Sequence, residues 1–312
     1  MNIKPLAFDS FGVRSQATLV KLDEHNILID PGVALGPKRY GLPPTEEEFH
    51  ALDLAREEII SKCKIADIVL VTHYHYDHHP FPDDDEMYQA CFTGKTVIAK
   101  NIKENINNSG KRRGKLFESK VKEIADRLEW GDGKEFDFGN LKIMVSPAVW
   151  HGEVKSKVGT VVMVLIEDKE SKERFLFGSD AQNLADPAAL EWAIQANPNI
   201  AIIDGYPTIF LGWKMSQKSF EKSLGTLGDF IMNTKTKIII LDHHIIRDIN
   251  YKEKIKPILD LAKKKRRKIL TAAEYYNLDN FFLEAWRKEI HKGEKKVDVD
   301  KYYSELRRSI NK

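Results

Sequence analysis

The hydrophobic pattern at the start of the chain predicts a β-hairpin followed by a helix and a buried strand. Short apolar stretches at residues 17–20 and 27–29 are separated by a polar segment, which is typical of a hairpin. Thr45, followed by three consecutive glutamates, predicts a helix N-terminus, and apolar residues continue at helical spacing up to Cys63. The apolar run 66–71 predicts a buried strand that leads directly into a polar, histidine-rich segment.

The rest of the chain alternates between strand and helix patterns. Further strands are predicted at residues 96–99, 141–145, 159–166, 174–178, 200–203 and 237–241. Helices are predicted around residues 119–128, 187–196, 216–232, 251–265 and 279–290, and a last docked helix is expected in the tail after Gly293. Each half gives strands and then helices, which favours sheets packed together with helices on their outer faces.

Composition narrows the class of protein. The 312 residues are enough for one large domain or two small ones, and 42% hydrophobic with 31% charged residues excludes a disordered or fibrous chain. No long uncharged apolar stretch predicts a membrane span, and the first ten residues lack the apolar core of a signal peptide, so a cytoplasmic protein is expected. Cys63 and Cys91 form no CxxC motif, so neither a disulfide scaffold nor a cysteine zinc site is expected. The net charge of +2 does not by itself indicate nucleic-acid binding.

Candidate chemistry is concentrated in the histidines. Seven of the ten lie in three short segments that each follow a predicted strand, namely 73/75/78/79, 151 and 243/244. Alternate residues beyond a strand point the same way, so His73 and His75 can reach one ion, while the turn carries Asp77 and His78 towards a second. Imidazoles with carboxylates favour zinc, iron or manganese over calcium. An accidental cluster of surface or core histidines is the weaker alternative at this density.

Residues 72–78 resemble the HxHxDH signature of the metallo-β-lactamase-fold hydrolases, and the resemblance extends over roughly residues 8–243. It implies an α/β fold, a four-layer αβ/βα sandwich, which we expect to span 1–312 as one domain with a C-terminal helical segment from about residue 279. An uncharacterised archaeal branch of predicted metal-dependent hydrolases is the nearest match. Asp180, where common β-lactamases have cysteine, argues against antibiotic hydrolysis. The 63 positions between Asp180 and His243 leave no room for the domain inserted in the nucleases of this superfamily.

The resemblance also implies a ligand set for two divalent ions, which we expect to be zinc, with manganese or iron as alternatives. The implied ligands are His73, His75, Asp77, His78, His151, Asp180 and His243. Asp180 bridges the two ions, and with Asp77 it counts as catalytic. His244 is the alternative to His243 because predicted strand ends shift by a residue. Asp30 supports the metal loop without binding metal, and Asp204 is a further candidate for orienting a ligand.

The function implied is a dinuclear hydrolase in which a metal-bridging hydroxide attacks a phosphoester, either a phosphodiester or a phosphorylated small molecule. Hydrolysis of a carboxylic ester, thioester or lactone is the alternative. A nucleic-acid-binding protein or nuclease that uses the basic segments, and a redox relative with paired irons, remain open. The partners expected are therefore a small-molecule or phosphodiester substrate, with nucleic acid possible and no membrane.

Basic and aromatic residues are the only clues to the substrate. Candidates for binding a phosphate lie in a glycine-flanked loop at 109–114 and after His151; they are Lys111, Arg112, Arg113 and Lys155, with Lys115 and Lys157 beside them. The alternative is an ordinary solvated loop. The run Lys263–Lys268 either ends a helix or contacts a nucleic-acid backbone. Trp213 and Tyr206 line a pocket or belong to the core, and His79 either supports the ligands or is exposed.

Overall fold

The computed structural model of the protein describes residues 1–22 and 24–312. The strands are β1 (Asn2–Phe8), β2 (Gln16–Lys21), β3 (Asn26–Ile29), β4 (Ile68–Val71), β5 (Thr96–Ala99), β6 (Arg127–Trp130), β7 (Glu135–Phe138), β8 (Leu141–Val145), β9 (Val149–Trp150), β10 (Thr160–Val161), β11 (Val164–Asp168), β12 (Arg174–Phe177), β13 (Ile200–Asp204), β14 (Ile238–Asp242) and β15 (Lys268–Leu270). The helices are α1 (Glu46–Cys63), α2 (Asp85–Phe92), α3 (Asn108–Ile124), α4 (Pro187–Ala196), α5 (Gln217–Asn233), α6 (Tyr251–Lys254), α7 (Lys256–Lys264), α8 (Ala272–Tyr275), α9 (Leu283–His291) and α10 (Val299–Ile310).

These elements form two compact units, each built around one large sheet. The six-strand unit contains the sheet β1-β2-β3-β4-β5-β6 and comprises residues 2–98, 116–129 and 272–312. The seven-strand unit contains the sheet β15-β14-β13-β12-β11-β8-β7 and the hairpin β9-β10, and comprises residues 1, 99–115 and 130–271. None of the helices in the described part of the chain combines the length and apolar character that crossing a bilayer requires.

In the six-strand unit, the predicted hairpin is confirmed as the antiparallel pair β2–β3. Asp23, which the sequence predicts between the two strands, lies outside the described residues. Strand β3 then pairs with β4 in parallel. Because the carboxyl ends of parallel strands lie at the same edge of a sheet, Asp30 and Thr72 emerge side by side. The histidine-rich loop therefore starts next to the end of β3.

Helix α1 begins where the sequence predicts. Thr45 forms a capping box with Glu48: the Thr45 hydroxyl accepts from the Glu48 amide at 3.2 Å, and the Glu48 carboxylate accepts from the Thr45 amide at 3.0 Å. At its other end, Cys63 forms a disulfide with Cys91 of α2. The expectation of no disulfide was wrong, because the packing of α1 beside α2 joins two cysteines whose spacing of 28 residues carries no motif.

The C-terminal helices pack on the six-strand unit, and the expected last helix is confirmed as α10. The predicted 279–290 helix begins at Leu283. The buried Arg287 of α9 donates to both oxygens of Glu48 at 2.7 and 2.8 Å and to the carbonyl of Gly36 at 2.8 Å. This pairing fixes the C-terminal segment to the start of α1.

In the seven-strand unit, β12, β13, β14 and β15 are parallel, whereas β7, β8 and β11 run antiparallel to their neighbours. Strands β12, β13 and β14 are mainly apolar and buried, as expected for strands covered on both faces, whereas the edge strand β15 is only partly buried. Their carboxyl ends share one edge, so the segments that follow β12, β13 and β14 meet there. These segments carry Asp180, Asp204 and His243.

Two helix predictions need correction. Helix α3 begins at Asn108 and not at 119, so the basic residues of 109–114 are helical and do not form a loop. The Asn107 side chain accepts from the Gly110 amide at 2.7 Å, and the lysines and arginines that follow are good helix formers, which outweighs the glycines. The predicted 251–265 helix divides at Ile255, because Pro257 occupies the first turn of α7 and cannot continue a preceding helix.

Candidate metal centre

The loop after β4 is held by one buried aspartate. Asp30 accepts from the Thr72 amide at 2.7 Å through Oδ1, and from the Thr72 hydroxyl at 2.6 Å through Oδ2. The same Oδ2 lies 2.8 Å from Nδ1 of His78. Burial raises the pKa of the Asp30 carboxyl, while the bonds from His78 and Thr72 oppose that rise. Asp30 thus orients His78 through Nδ1 and leaves Nε2 to face another group.

The other histidines of this loop lie close to His78. Nε2 of His73 is 3.1 Å from Nδ1 of His75, and the rings of His73 and His78 are 4.0 Å apart. Oδ1 of Asp77 lies 3.9 Å from Nε2 of His78. Asp30, His73 and His78 each offer a ligand atom within 4.8 Å of the others. The six-strand unit therefore gathers imidazoles and carboxylates whose spacing suits a metal ion.

His79 has a different environment from its neighbours. It is buried, with its ring 5.8 Å from that of Tyr74, 5.3 Å from Tyr76 and 5.6 Å from Phe117. The expectation that it could be exposed was therefore wrong. Its aromatic surroundings make it part of the packing beneath the loop.

In the seven-strand unit, Asp180 lies between two histidines and contacts each with a different oxygen. Its Oδ2 is 3.0 Å from Nε2 of His151, and its Oδ1 is 3.6 Å from Nε2 of His243. All three side chains are buried. Asp180 therefore presents one carboxylate oxygen to each of two imidazoles, and all three side chains are of types that bind divalent ions.

The backbone around Asp180 and His243 is strained. His243 has a φ of 63° and Ser179 a φ of 48°, in the left-handed region that non-glycine residues rarely adopt. The side chain of Asp242 accepts from the His243 amide at 2.7 Å and fixes this conformation. Such strain persists only where the surroundings enforce it, and it is concentrated at functional sites.

His244 is held by the aspartate that ends β13. Asp204 accepts from the His244 amide at 3.0 Å and lies 2.9 Å from its Nδ1. Burial, and then the charges of Arg247 and His243, lower the pKa of His244 well below its usual value, so this imidazole is neutral at pH 7. His244 also belongs, with Asp180 and His243, to a set of three potential ligands within 4.8 Å of one another.

Arg247 is a site residue that sequence reasoning missed. Its buried guanidinium lies with Nη2 3.4 Å from Nε2 of His243. A single arginine four residues after a histidine carries no signal in the sequence, since most arginines are exposed. Its position next to the ligands follows only from the short 3₁₀-helical turn His243–Arg247.

The predicted substrate residues lie on two segments that contact each other, the loop after His151 and the start of α3. The loop that follows His151 carries Lys155 and Lys157, and Asn107 donates through Nδ2 to the carbonyls of Lys157 and Val158 at 3.0 and 2.6 Å. Asn107 directly precedes α3, so its first turn brings Lys111 and Arg112 to the same region. Lys111, Arg112 and Lys155 are exposed, while Arg113 is half-buried.

The basic run Lys263–Lys268 lies elsewhere. Lys268 is the register partner of Ile238, at the start of β14, whereas His243 follows the end of that strand. The run therefore occupies the opposite end of the parallel sheet from Asp180 and His243. If these cations contact a nucleic acid, they do so away from the candidate ligands Asp180 and His243.

Comparison with known proteins agrees with this fold. A family model described as beta-lactamase superfamily domain matches residues 25–209. The crystal structures of CmlA, a diiron beta-hydroxylase from Streptomyces venezuelae, and of unliganded yeast PDE1 both superpose with a TM-score of 0.51, at 11% and 12% identity. Both matches cover 86% of this chain; they cover 52% of CmlA and 96% of PDE1. The predicted α/β fold of the metallo-β-lactamase type is confirmed.

Proteins with similar sequences place the chain more narrowly within this superfamily. UPF0282 protein PF0593 of Pyrococcus furiosus is 42% identical over 307 residues, which cover 96% of this chain and 95% of that protein. UPF0282 protein PH1002 of Pyrococcus horikoshii is 44% identical over 307 residues, with 96% of each chain covered. The chain therefore belongs to the beta-lactamase superfamily and, within it, to the UPF0282 proteins of archaea.

Proposed function

We propose that the protein is a dinuclear metal-dependent hydrolase of phosphoesters. The observation that carries this proposal is the position of Asp180, with one carboxylate oxygen towards His151 and the other towards His243. The proposed ligands of the two ions are His73, His75, Asp77, His78, His151, Asp180 and His243. His244 remains the alternative last ligand.

The donor set fits divalent transition metals. It consists of buried imidazoles and carboxylates, which suit zinc first and also manganese or iron. A metal ligand must be a neutral imidazole with its other nitrogen engaged, and Asp30 gives His78 that arrangement. The strained backbone of His243 supports its choice over His244, because its φ of 63° is tolerated only for a structural gain.

The protein's own side chains prepare the reaction. Divalent ions bound to these ligands would polarise a substrate oxygen and acidify a water molecule. Asp30 and Asp204 hold the imidazoles of His78 and His244 in fixed orientations. Arg247 supplies a buried positive charge next to His243, where it can attract an anionic substrate group.

Charge favours a phosphoester over a neutral ester or lactone. Among the described residues, Lys111, Arg112, Lys155 and Lys157 form no ion pair with a carboxylate within 4.0 Å. Cations that have no acidic partner beside a predicted site remain available to a phosphate. A neutral lactone gains nothing from them, so these four residues support the phosphoester.

The test combines metal analysis with a substrate panel. Elemental analysis should find two divalent ions per chain, and bis(p-nitrophenyl) phosphate should be hydrolysed faster than a thioester or a lactone. Chelation should abolish turnover, and added Zn²⁺ should restore it. A chain that binds no metal, or one that hydrolyses only lactones or thioesters, would contradict the proposal.

A pair of matched double variants tests the role of the charges. Lys155→Ala with Lys157→Ala should raise KM for the phosphodiester by roughly tenfold and leave kcat within about twofold, because uniform binding is lost. Lys263→Ala with Lys264→Ala removes the same charge at the far end of the sheet and should leave KM unchanged. Equal effects of the two pairs would show that only net charge matters.

A further inference from the structure

Trp213 stands out among the large apolar side chains of the described residues. Its side chain is 73% exposed, so the expectation that it could belong to the core was wrong, whereas Tyr206 is fully buried. Single exposed apolar residues are common on protein surfaces and need no special role. Exposure alone therefore assigns no role to Trp213, and a role has to be argued from its position and from the rigidity of its turn.

The turn that carries Trp213 is firmly held. The amides of Trp213, Lys214 and Met215 all donate to the carbonyl of Phe210, at 3.1, 3.0 and 3.1 Å. The base of the turn is fixed by Thr208, whose hydroxyl donates to Asp248 at 2.6 Å. The indole is thus presented by an ordered turn, so little conformational entropy is lost when a ligand covers it.

Trp213 follows β13 in the chain, and the carboxyl end of β13 lies at the edge of the sheet where Asp180 and His243 are found. Its turn follows Asp204, the residue at the end of β13 that holds His244. Tyr206 lies between the two, and its hydroxyl donates to Glu153 at 2.9 Å. Glu153 belongs to the loop that starts at His151, so this bond joins the segment between Asp204 and the Trp213 turn to the loop with Lys155 and Lys157.

One lysine lies against the indole, and two more belong to the loop to which Tyr206 is hydrogen-bonded. Nζ of Lys214 lies 4.3 Å from the centre of the Trp213 ring. Lys155 and Lys157 follow Glu153 in that loop and have no acidic partner among the described residues. An exposed aromatic face next to several cations binds a flat base together with its phosphate. An apolar protein partner would gain the aromatic contact and leave the lysines unmatched.

We infer that Trp213 stacks on a nucleobase of the substrate, and hence that the substrate is a phosphodiester of nucleotides in single-stranded form. This inference rests on the proposed function and narrows its substrate class. Stacking on an aromatic side chain strengthens the binding of a base by about 5- to 150-fold, as judged by substitution with alanine. Trp213 is a substrate-binding residue in this account and takes no part in bond cleavage.

The experiment measures the affinity of the metal-loaded protein for a fluorescein-labelled oligothymidylate of ten nucleotides with phosphorothioate linkages, which resist hydrolysis and leave every proposed ligand in place. Trp213→Ala should raise Kd by about 5- to 150-fold, and Trp213→Phe should restore most of the affinity. Phe49→Ala serves as control, because Phe49 is 52% exposed on the six-strand unit. An abasic oligomer of the same length should bind all variants alike.

The outcomes separate this inference from the proposed function. Undetectable binding of oligothymidylate, an unchanged Kd for Trp213→Ala, or an equal loss with the abasic oligomer would overturn the inference. Hydrolysis of phosphodiesters without any effect of Trp213 would overturn it and leave the proposed function intact. If the protein shows no phosphodiesterase activity but its binding of the oligomer depends on Trp213, the contact between Trp213 and a base is supported and the proposed hydrolase function is refuted.

Discussion

Gly32 lies directly against the backbone of His78. A Cβ atom at position 32 would sit 2.6 Å from the His78 amide nitrogen, 2.5 Å from its carbonyl carbon and 2.2 Å from the amide nitrogen of His79. These atoms belong to the main chain and cannot turn aside as a side chain could. The backbone of His78 can therefore occupy its position only because residue 32 has no side chain.

Gly32→Ala should weaken metal binding although no ligand is changed. The methyl group must displace residues 78–79, which moves His78 away from Asp30 and breaks the 2.8 Å contact that orients it. We expect at least a tenfold loss of Zn²⁺ affinity, measured by competition with a chromogenic chelator, and a loss of stability of about 1–3 kcal/mol.

The matched control is Gly225→Ala in α5, where nothing lies within 4 Å of the added Cβ atom. Because alanine is the better helix former, this variant should gain about 0.5–1 kcal/mol and keep its metal. Full metal affinity in Gly32→Ala would show that the loop tolerates the displacement, and it would argue against the role assigned to Asp30.

Metal stoichiometry distinguishes the two candidates for the last ligand. His243→Ala should reduce the bound metal from about two ions to one per chain, since it removes the nitrogen 3.6 Å from Asp180. His244→Ala and Asp204→Asn should keep both ions, because Asp204 and His244 bind each other in the proposed arrangement. Loss of an ion in His244→Ala and its retention in His243→Ala would reverse the assignment.

Most of the helices and strands could be predicted from local sequence patterns. Helix α4 matches the predicted range of 187–196 because an aspartate cap, a proline in the first turn and an asparagine at the end are all readable in the sequence. Helix α3 was misplaced because the cap formed by Asn107 competes with two glycines, and the sequence does not show which of them prevails. The break between α6 and α7 depends on Pro257 and could have been read.

Only part of the candidate metal centre could be predicted from the sequence, and the reason is physical. The spacing of His73, His75 and His78 is local, so the motif is visible without a structure. The neighbours of Arg247, the exposure of Trp213 and the pairing of Cys63 with Cys91 depend on how distant segments pack. Such contacts leave no periodic trace in the chain, and a single sequence cannot supply them.

Asp84 should make the stability of the six-strand unit depend on acid pH. It caps α2 by accepting from the Met87 amide at 3.0 Å, and it accepts two bonds from the Arg56 guanidinium at 2.6 and 2.7 Å. The bonds from Arg56 lower the pKa of Asp84 below its usual value of 3.8, although partial burial opposes them. The folded state therefore binds this proton less readily than the unfolded chain does.

It follows that the charge of Asp84 stabilises the fold above about pH 4 and that this contribution fades as the pH falls through the lowered pKa. Asp84→Asn should cost up to about 1 kcal/mol in urea unfolding at pH 7 and clearly less at pH 3, since the pair is partly exposed. Asp83→Asn, in the same loop but exposed, should change the free energy of unfolding at pH 7 by less than about 0.5 kcal/mol. An equal cost of Asp84→Asn at both pH values would mean that the charge is irrelevant.

The disulfide should contribute substantially to the stability of the same unit. The Cys63–Cys91 bond closes a loop of 28 residues, for which the loss of chain entropy in the unfolded state gives about 3.5 kcal/mol. Cys63→Ala with Cys91→Ala should therefore lower the free energy of unfolding by about 2–4 kcal/mol. Mass spectrometry after alkylation in denaturant without reductant should find neither thiol of the parent protein modified. Modification of both cysteines under those conditions would show that the bond does not form, and the double variant should then unfold like the parent apart from a small packing loss.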